Sequence, residues 1–454
     1  MILTTAKLKD FVFYLSLFSL ISLWYIPHTI AARYACGALL LILVLFYTLN
    51  WKPILHRSKL ILVFILYLFV QIFILSDDLK ISLFSFKSEW MHFILFSIAG
   101  VGSGLFLARK QVSNILLYLG FAFSVPILIH LTLFAIKGFS SGSIPWGYCG
   151  LSDIHGDLAY SSLQAVIFVS VFLLCKAKQT LTKLLCVLLL FACALSVVFA
   201  QSRGGVIFIA LSGLLTLITF VYFSISNRNF NLKHIVFAFL FLVPIGLITV
   251  FGTHHNPEKW LESPIRALSA FKSDPFLGLC STPNAVAFND QSEIQATLNS
   301  EQIEARSRVM HGDSARIILA KAGFELSKIY PLGFNGSKKS YQQAIVKYCG
   351  KLPFVEYSHA HNAWLDTALA IGIPGAFLLL LVMLNYGWQG FQMIKQHNQI
   401  NPFALALFVS ASIWILRGVL DSTLRDQMLE MQAFILAFLL AAAINYQPKI
   451  SDAK

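Results

Sequence analysis

The 454-residue sequence predicts an all-α polytopic membrane protein, about twelve transmembrane helices with a helical cap between the ninth and the tenth. Three observations carry that expectation. Apolar residues make up 57% of the chain and charged residues 12%, with a mean hydropathy of +0.73, whereas soluble domains run near a quarter charged. Apolar runs of roughly twenty residues, the length that crosses a bilayer as helix, recur through the chain. One long polar stretch, residues 252–360, interrupts them.

In chain order the runs fall at 11–26, 30–49, 59–75, 90–108, 113–136, 157–175, 183–200, 204–224, 234–251, 373–394, 402–420 and 428–447. The expected organisation is 1–251 as the first nine spans, 252–360 as a loop domain and 361–454 as the last three. The first run follows Lys7 and Lys9 and so imitates a secretory signal, but it lacks the small-residue cleavage site of one and is read as a retained span. Basic residues in short loops stay on the cytoplasmic side. Every second connection is basic: Lys7, Lys9, Lys52, Arg57, Lys59, Arg109, Lys110, Lys176, Lys178, Lys183, Arg228, Lys233, Lys395, Lys449 and Lys454 face only Asp10 and Asp452. The alternate connections are mixed in sign, as at Asp77, Asp78, Lys80, Lys87 and Glu89, and the long polar stretch is one of them. This pattern predicts both termini in the cytoplasm and residues 252–360 outside.

The formal charge of +13 does not point to nucleic acid, because fifteen of the 34 basic residues are these topology markers and no basic run with interleaved aromatics occurs. No GxxxxGK[ST] loop, DxD pair or HExxH helix is present, so the driving force is expected from a substrate or a gradient rather than from ATP. The seven cysteines include no CxxC. Cys36, Cys175, Cys186 and Cys193 fall within spans as packing residues. Cys280 and Cys349 lie in the outer segment, where a disulfide between them competes with a pairing to Cys149.

Within that segment Trp260, Ile265, Leu268 and Phe271 recur among polar residues at helical spacing. The stretch from Asp313 to Leu326 reads as a helix capped by Asp313, running toward Ile329 and ended by Pro331 and Gly333. A small helical cap should result, with 288–310, rich in Gln, Glu, Ser and Asn, as its mobile part.

Chemistry concentrates on the outer connections. Arg203 stands in Gln201-Ser-Arg-Gly-Gly205, the tight turn after the seventh run. At mid-bilayer an arginine costs about 2.5 to 3.5 kcal/mol, so one at a span end faces water, headgroups or an anion. A snorkelling arginine and an anion ligand are both open. The second gains from Ser202, which can cap the next helix and leave its first N–H groups beside the guanidinium fork. Arg316, in the first turn of the loop helix, is either paired with Asp313 or another loop acid, or held beside a bound anion, since the helix dipole repels a cation there. Arg417 has Asp421 four residues on, the spacing of a helical ion pair, and reads first as structural.

Tyr357-Ser-His-Ala-His-Asn362 closes the polar stretch where the next span begins, and Gly372-Ile-Pro-Gly375 should break the short helix that follows. His359 and His361 are read as satisfied polar residues or as a metal pair, but no third or fourth ligand stands at usable spacing. A histidine, with an ordinary pKa near 6.5, can take a proton from a hydroxyl at neutral pH. His361, beside Asn362 at a helix start, is the preferred base. His155, in Ser152-Asp-Ile-His-Gly-Asp157, either lines the same cavity or is an exposed loop residue.

At these residues the chain resembles the O-antigen ligase family, within the wider group that includes O-antigen polymerases and protein O-oligosaccharyltransferases. The resemblance rests on Ser202-Arg203-Gly204, the loop helix with Arg316 leading to Pro331-Leu-Gly-Phe334, His361-Asn362 with Leu365 and the Gly372-Ile-Pro-Gly375 break, and Arg417-Gly418, in that order. It implies a GT-C-like protein of the bacterial inner membrane with a periplasmic cap. The implied activity is transfer of a glycan from undecaprenyl diphosphate to a hydroxyl of lipid A-core oligosaccharide, with inversion and without ATP, metal or other cofactor. Carried over, Arg203 and Arg316 would bind the diphosphate and His361 would activate the acceptor, with His359, Asn362, His155 and Arg417 as further substrate contacts. One departure is Asp153-Ile-His-Gly156, where some ligases have a His-Arg-His stretch, so only His155 is matched. The rivals are an O-antigen polymerase or protein O-oligosaccharyltransferase using the same donor, and a small-anion transporter with Arg203 and Arg417 on its pathway. The nearly uncharged span interiors oppose transport.

Overall fold

The computed structural model describes residues 5–47, 49–110, 114–151, 155–226, 246, 250, 263–280, 303–304, 312–334, 336, 339–350, 357–396 and 399–446. Helices lie where the apolar runs predict them: α1 (Thr5–Leu23), α2 (Ile30–Leu45), α3 (Lys59–Val70), α4 (Met91–Arg109), α5 (Ile115–Ser141), α6 (His155–Cys175), α7 (Thr180–Phe199) and α8 (Arg203–Ser226). After the cap helices α9 (Gly312–Ile329) and α10 (Ser340–Cys349) come α11 (Ala363–Met393), α12 (Pro402–Leu420) and α13 (Asp426–Ile444). Among the described residues eight helices are long and apolar enough to cross a membrane, and Ile30–Leu45 and Lys59–Leu75 are shorter apolar helices. The expected run at 234–251 and the expected mobile part at 288–310 lie outside the described residues except for 246, 250, 303 and 304. Extended pairing among the described residues is confined to a two-residue ladder, Lys395–Gln396 with Gln399–Ile400, so the class is all-α.

Helix α13 is the axis of the bundle, buried from Leu429 to Ala443 and apolar there except for Glu430 and Gln432. Its closest neighbour is α4, where Gly100 and Gly104 stand four residues apart. A Cβ at Gly100 would lie 2.2 Å from the Phe434 carbonyl oxygen and one at Gly104 2.4 Å from that of Phe438. Without a hydrophobic drive between helices in lipid, such close backbone contact is what holds them together. Upstream of α4, helical turns from Leu79 extend the same rod to 31 residues.

The two ends of the bundle differ in chemistry. At one end Lys110 pairs with Asp10 at 2.6 Å, Lys176 donates to the Tyr446 hydroxyl at 2.9 Å and Gln389 donates to the Arg57 carbonyl at 2.8 Å. At the other, Trp24 donates to the Gln427 carbonyl, Tyr160 to Asp421 and Arg203 to Asp313. The basic connections and the candidate-site connections therefore meet at opposite ends, as their alternation along the chain requires.

The cap is small and helical. Ile318, Leu319, Leu326, Tyr341 and Ile345 form its core together with Ala360 and Leu369, so it shares that core with the start of α11. The Tyr341 hydroxyl, buried, donates to the Leu319 carbonyl. A disulfide joins Cys280 to Cys349, with Cα atoms 5.3 Å apart, and Cys149 is not disulfide-bonded.

The break expected at Gly372-Ile-Pro-Gly375 is found: Ile371 and Gly372 have non-helical backbone, so α11 consists of a short helical segment from Ala363 and a second that follows the break and runs to Met393. Proline cannot donate to the preceding turn, and the groups left open are taken over from outside. The Tyr67 hydroxyl donates to the Ile371 carbonyl at 2.7 Å, Phe334 N–H to Leu369, Gly336 N–H to Ala370, and Ile373 N–H donates to Pro331. The Pro331–Phe334 turn thus seats the cap on the kink. The fit depends on Gly372, at φ +82°, where a Cβ would lie 2.9 Å from the Leu332 backbone. Gly372→Ala should therefore destabilise the protein by about 1 to 3 kcal/mol, read as a lower melting temperature in detergent, with the cap disulfide still formed.

Candidate active site

The site lies where α11 starts, against the linker 421–425 that joins α12 to α13. Asn362 takes extended backbone and caps α11, its carbonyl oxygen accepting from Trp364 N–H and Leu365 N–H at 3.1 Å. Its amide donates at 2.9 Å to the Val419 carbonyl at the end of α12. Asp366, one turn in, accepts the Ala360 N–H at 2.7 Å on one oxygen and the Ser422 hydroxyl on the other. Ala363 N–H donates to the Asp421 carbonyl. Two of these bonds, Ser422 to Asp366 and Ala363 to Asp421, join the start of α11 to the linker, while Asn362 ties it to the end of α12 and Asp366 holds the histidine segment through Ala360.

Held this way, His361 adopts φ +53°, a left-handed conformation that a histidine adopts at a cost. Gln201, just before Arg203, is at φ +52° and Asp426 at φ +48°. His359 and His361 stack edge to face with ring centres 4.3 Å apart, and His359 Nδ1 is 2.9 Å from the Ser358 hydroxyl. The Nδ1 of His361 is buried without a hydrogen-bond partner among the described residues. Such an orphan nitrogen is rare in folded proteins and marks a place where a substrate group can bond.

Burial, first, and then Arg425 and Arg316 push the His359 imidazole down to about 4. His361 is pushed to about 4 by burial, by His359 and by the same two arginines. Both rings are therefore neutral at physiological pH. Asp421 opposes these cations. Burial raises its carboxyl, but Arg417, the Tyr160 hydroxyl and Arg316 together hold it below the usual carboxylate range. The Tyr160 hydroxyl donates to Asp421 Oδ2 at 2.5 Å, while Arg417 stands 4.0 Å from the same oxygen. Arg417 is 3% exposed, with its guanidinium carbon 4.2 Å from the Tyr160 ring centre and 5.1 Å from that of Phe208.

Arg316 is exposed in the first turn of α9 and acts electrostatically on both imidazoles and on Asp421. Of its readings, the pairing with Asp313 is not found among the described residues. Asp313 is the second residue of α9 rather than its cap, and both of its oxygens lie 2.7 Å from the terminal nitrogen of Arg203. Ser263 also donates to that carboxylate. Arg203 opens α8, and Ser202 accepts the Gly205 N–H as its cap. The structure therefore gathers Arg316, His359, His361, Asn362 and Arg417 around Asp421, with Arg203 one link away through Asp313. His155 opens α6 two residues before Asp157, and its side chain is outside the described set. A small apolar cavity between α4, α11 and α13, lined by Phe93, Tyr386, Leu424 and Gln432 among others, is separate from these residues.

Sequence reasoning missed Tyr160, Asp366, Ser422 and Arg425. The first three are polar residues within or beside apolar runs and carry no motif. Arg425 stands in one of the mixed-sign outer connections and carries no motif either.

A family model described as O-antigen ligase matches residues 185–380, a stretch that includes Arg203, Arg316, His359 and His361. No curated protein matches the chain. Because Asn362 both caps α11 and bonds to α12, Asn362→Ala should cost about 1 to 2 kcal/mol, measured as a lower melting temperature, whereas Asn362→Asp, which keeps the cap acceptor, should lose less.

Proposed function

We propose, from the match of residues 185–380 to the O-antigen ligase family model, that this chain transfers a glycan from undecaprenyl diphosphate to a hydroxyl of lipid A-core oligosaccharide. At the coarser level it is a multi-pass membrane protein of a ligase- or polymerase-type family of glycosyl-transferring enzymes. The observation that carries the finer reading is the neutral, partnerless His361 Nδ1 beside Arg316.

In this reading the acceptor hydroxyl bonds to His361 and gives up its proton as its oxygen attacks the anomeric carbon. The bond from that carbon to the diphosphate breaks, and the leaving group keeps the electron pair. A diphosphate is stable as an anion, so no general acid is needed; Arg316 offsets the charge that grows on it. Arg203, through its ion pair with Asp313, sets the first turn of α9. A single in-line displacement inverts the anomeric centre. The lipid portion of the donor belongs among the spans, and the sugars meet under the cap, on the periplasmic side of the inner membrane. The disulfide Cys280–Cys349 supports that side as the oxidising one.

The test is transfer by purified protein from a defined undecaprenyl diphosphate-linked glycan to lipid A-core. Attachment to the core marks a ligase, whereas longer carrier-linked chains mark a polymerase and overturn the finer reading. His361→Ala should lower kcat about 10²- to 10⁴-fold with donor binding retained; an unchanged rate removes the base.

The pH dependence is a second test. An imidazole works as a base only above its pKa, and both rings are pushed to about 4 in the free protein. The acid limb of kcat/KM should accordingly lie near 4 rather than 6.5. A bound diphosphate favours imidazolium and counters Arg316 and Arg425, so the limb of kcat should lie at higher pH.

A further inference from the structure

Arg425 lies in Asp421-Ser-Thr-Leu-Arg425, a linker that the reaction above leaves unused. Ser422 and the Ala360 N–H occupy the two oxygens of Asp366, so the linker and the histidine segment hang on one carboxylate and cannot move apart independently. Arg425 follows three residues later, at the start of α13, in extended backbone, and Asp426 after it is held at φ +48°. Its side chain is 19% exposed, and its one hydrogen bond among the described residues runs from Nε to Asp426 at 3.2 Å. Asp426 is 44% exposed, so that pair holds the guanidinium weakly and leaves its terminal nitrogens for another partner.

The charges around the imidazoles are unbalanced. Arg316, from α9, and Arg425, from the linker, both act on His359 and His361, and Asp426 opposes them at His359. Of the carboxylates that face them, Asp421 is engaged by Tyr160 and Arg417, and Asp366 is spoken for by Ser422 and Ala360. Arg203, by contrast, has a partner at 2.7 Å in Asp313. Arg316 has no ion-pair partner among the described residues and Arg425 has only the exposed Asp426, bonded through Nε, so two guanidinium forks near a neutral base suit an oxyanion with several charged oxygens.

We propose that Arg425, together with Arg316, binds the phosphate oxygens of the leaving group, and that Arg203 is a positioning residue that acts through Asp313. The assignment deepens the glycan-transfer reading and rests on it. Phosphate chemistry could come from the donor diphosphate or from a phosphorylated core acceptor; the terminal nitrogens of Arg425, unengaged among the described residues and on a linker tied to the histidine segment, assign it to the donor.

The experiment measures binding of undecaprenyl diphosphate, without glycan or acceptor, to the purified full chain, alongside transfer kinetics with each substrate varied. Arg425→Ala should weaken binding and raise the donor KM about tenfold or more, with the acceptor KM unchanged and Arg425→Lys intermediate. Arg425→Gln replaces the alanine variant if the latter does not fold. Arg203→Ala and Asp313→Asn should give similar donor defects that do not add in the double variant. Unchanged donor binding in Arg425→Ala, or a rise in the acceptor KM alone, overturns the assignment. Full additivity overturns the role of Arg203. If the wild-type protein binds undecaprenyl diphosphate and Arg425→Ala does not, yet no glycan reaches lipid A-core, the transfer reading fails while the anion site stands.

Discussion

Everything at the candidate site depends on Asp366, whose two oxygens tie the backbone of Ala360 to the hydroxyl of Ser422. One carboxylate thereby fixes the approach of two chain segments that are far apart in sequence. Asn362 supports it from the other side by capping α11 and bonding to the end of α12. With both ends of the His359–His361 turn held, the chain has no freedom to relax the left-handed backbone at His361. That strain is compatible with a stable fold only because the surrounding bonds over-determine it.

The electrostatics follow from this placement. Burial alone disfavours imidazolium, and two arginines nearby add to the effect, so a pair of histidines that would ordinarily be half-charged is neutral. Asp421 reduces the positive field but is itself drawn to Arg417 and Tyr160. The result is a site that is cationic yet contains neutral bases, which is the combination a reaction needs when a hydroxyl must lose a proton while an anion departs. The same field makes the site responsive to what it binds, because an incoming anion cancels the charges that keep the imidazoles neutral.

The cap is placed by a different device. The kink at Ile371–Gly372 opens backbone groups within α11, and the Pro331–Phe334 turn closes them with its own backbone while Tyr67 supplies one hydroxyl. Irregular backbone at the edge of a membrane is tolerated when protein partners satisfy it. Since α9 runs directly into that turn, the kink that looks like a fault in a span also sets where Arg316 stands relative to His361. The disulfide between Cys280 and Cys349 closes the far side of the same small body.

The sequence by itself determined the membrane class, the positions of the helices and the alternation of polar and basic ends, because these follow from one-dimensional properties: the length of apolar runs and the sidedness of Lys and Arg. It also picked out Arg203, Arg316, His359, His361, Asn362 and Arg417, since each is a polar residue at a span end or in an ordered motif. Which of them meet was decided only by the tertiary structure. Local spacing offers Arg316 as a partner for Asp313, whereas the structure gives Asp313 to Arg203, 110 residues earlier. Gly372 and Pro374 signal the break that the structure has at Ile371–Gly372, but only the tertiary structure shows that the cap turn takes up the groups it opens. Asp366, Tyr160, Ser422 and Arg425 were illegible for the same reason: their roles come from partners 6 to 261 positions away, and no local pattern encodes a contact at that distance.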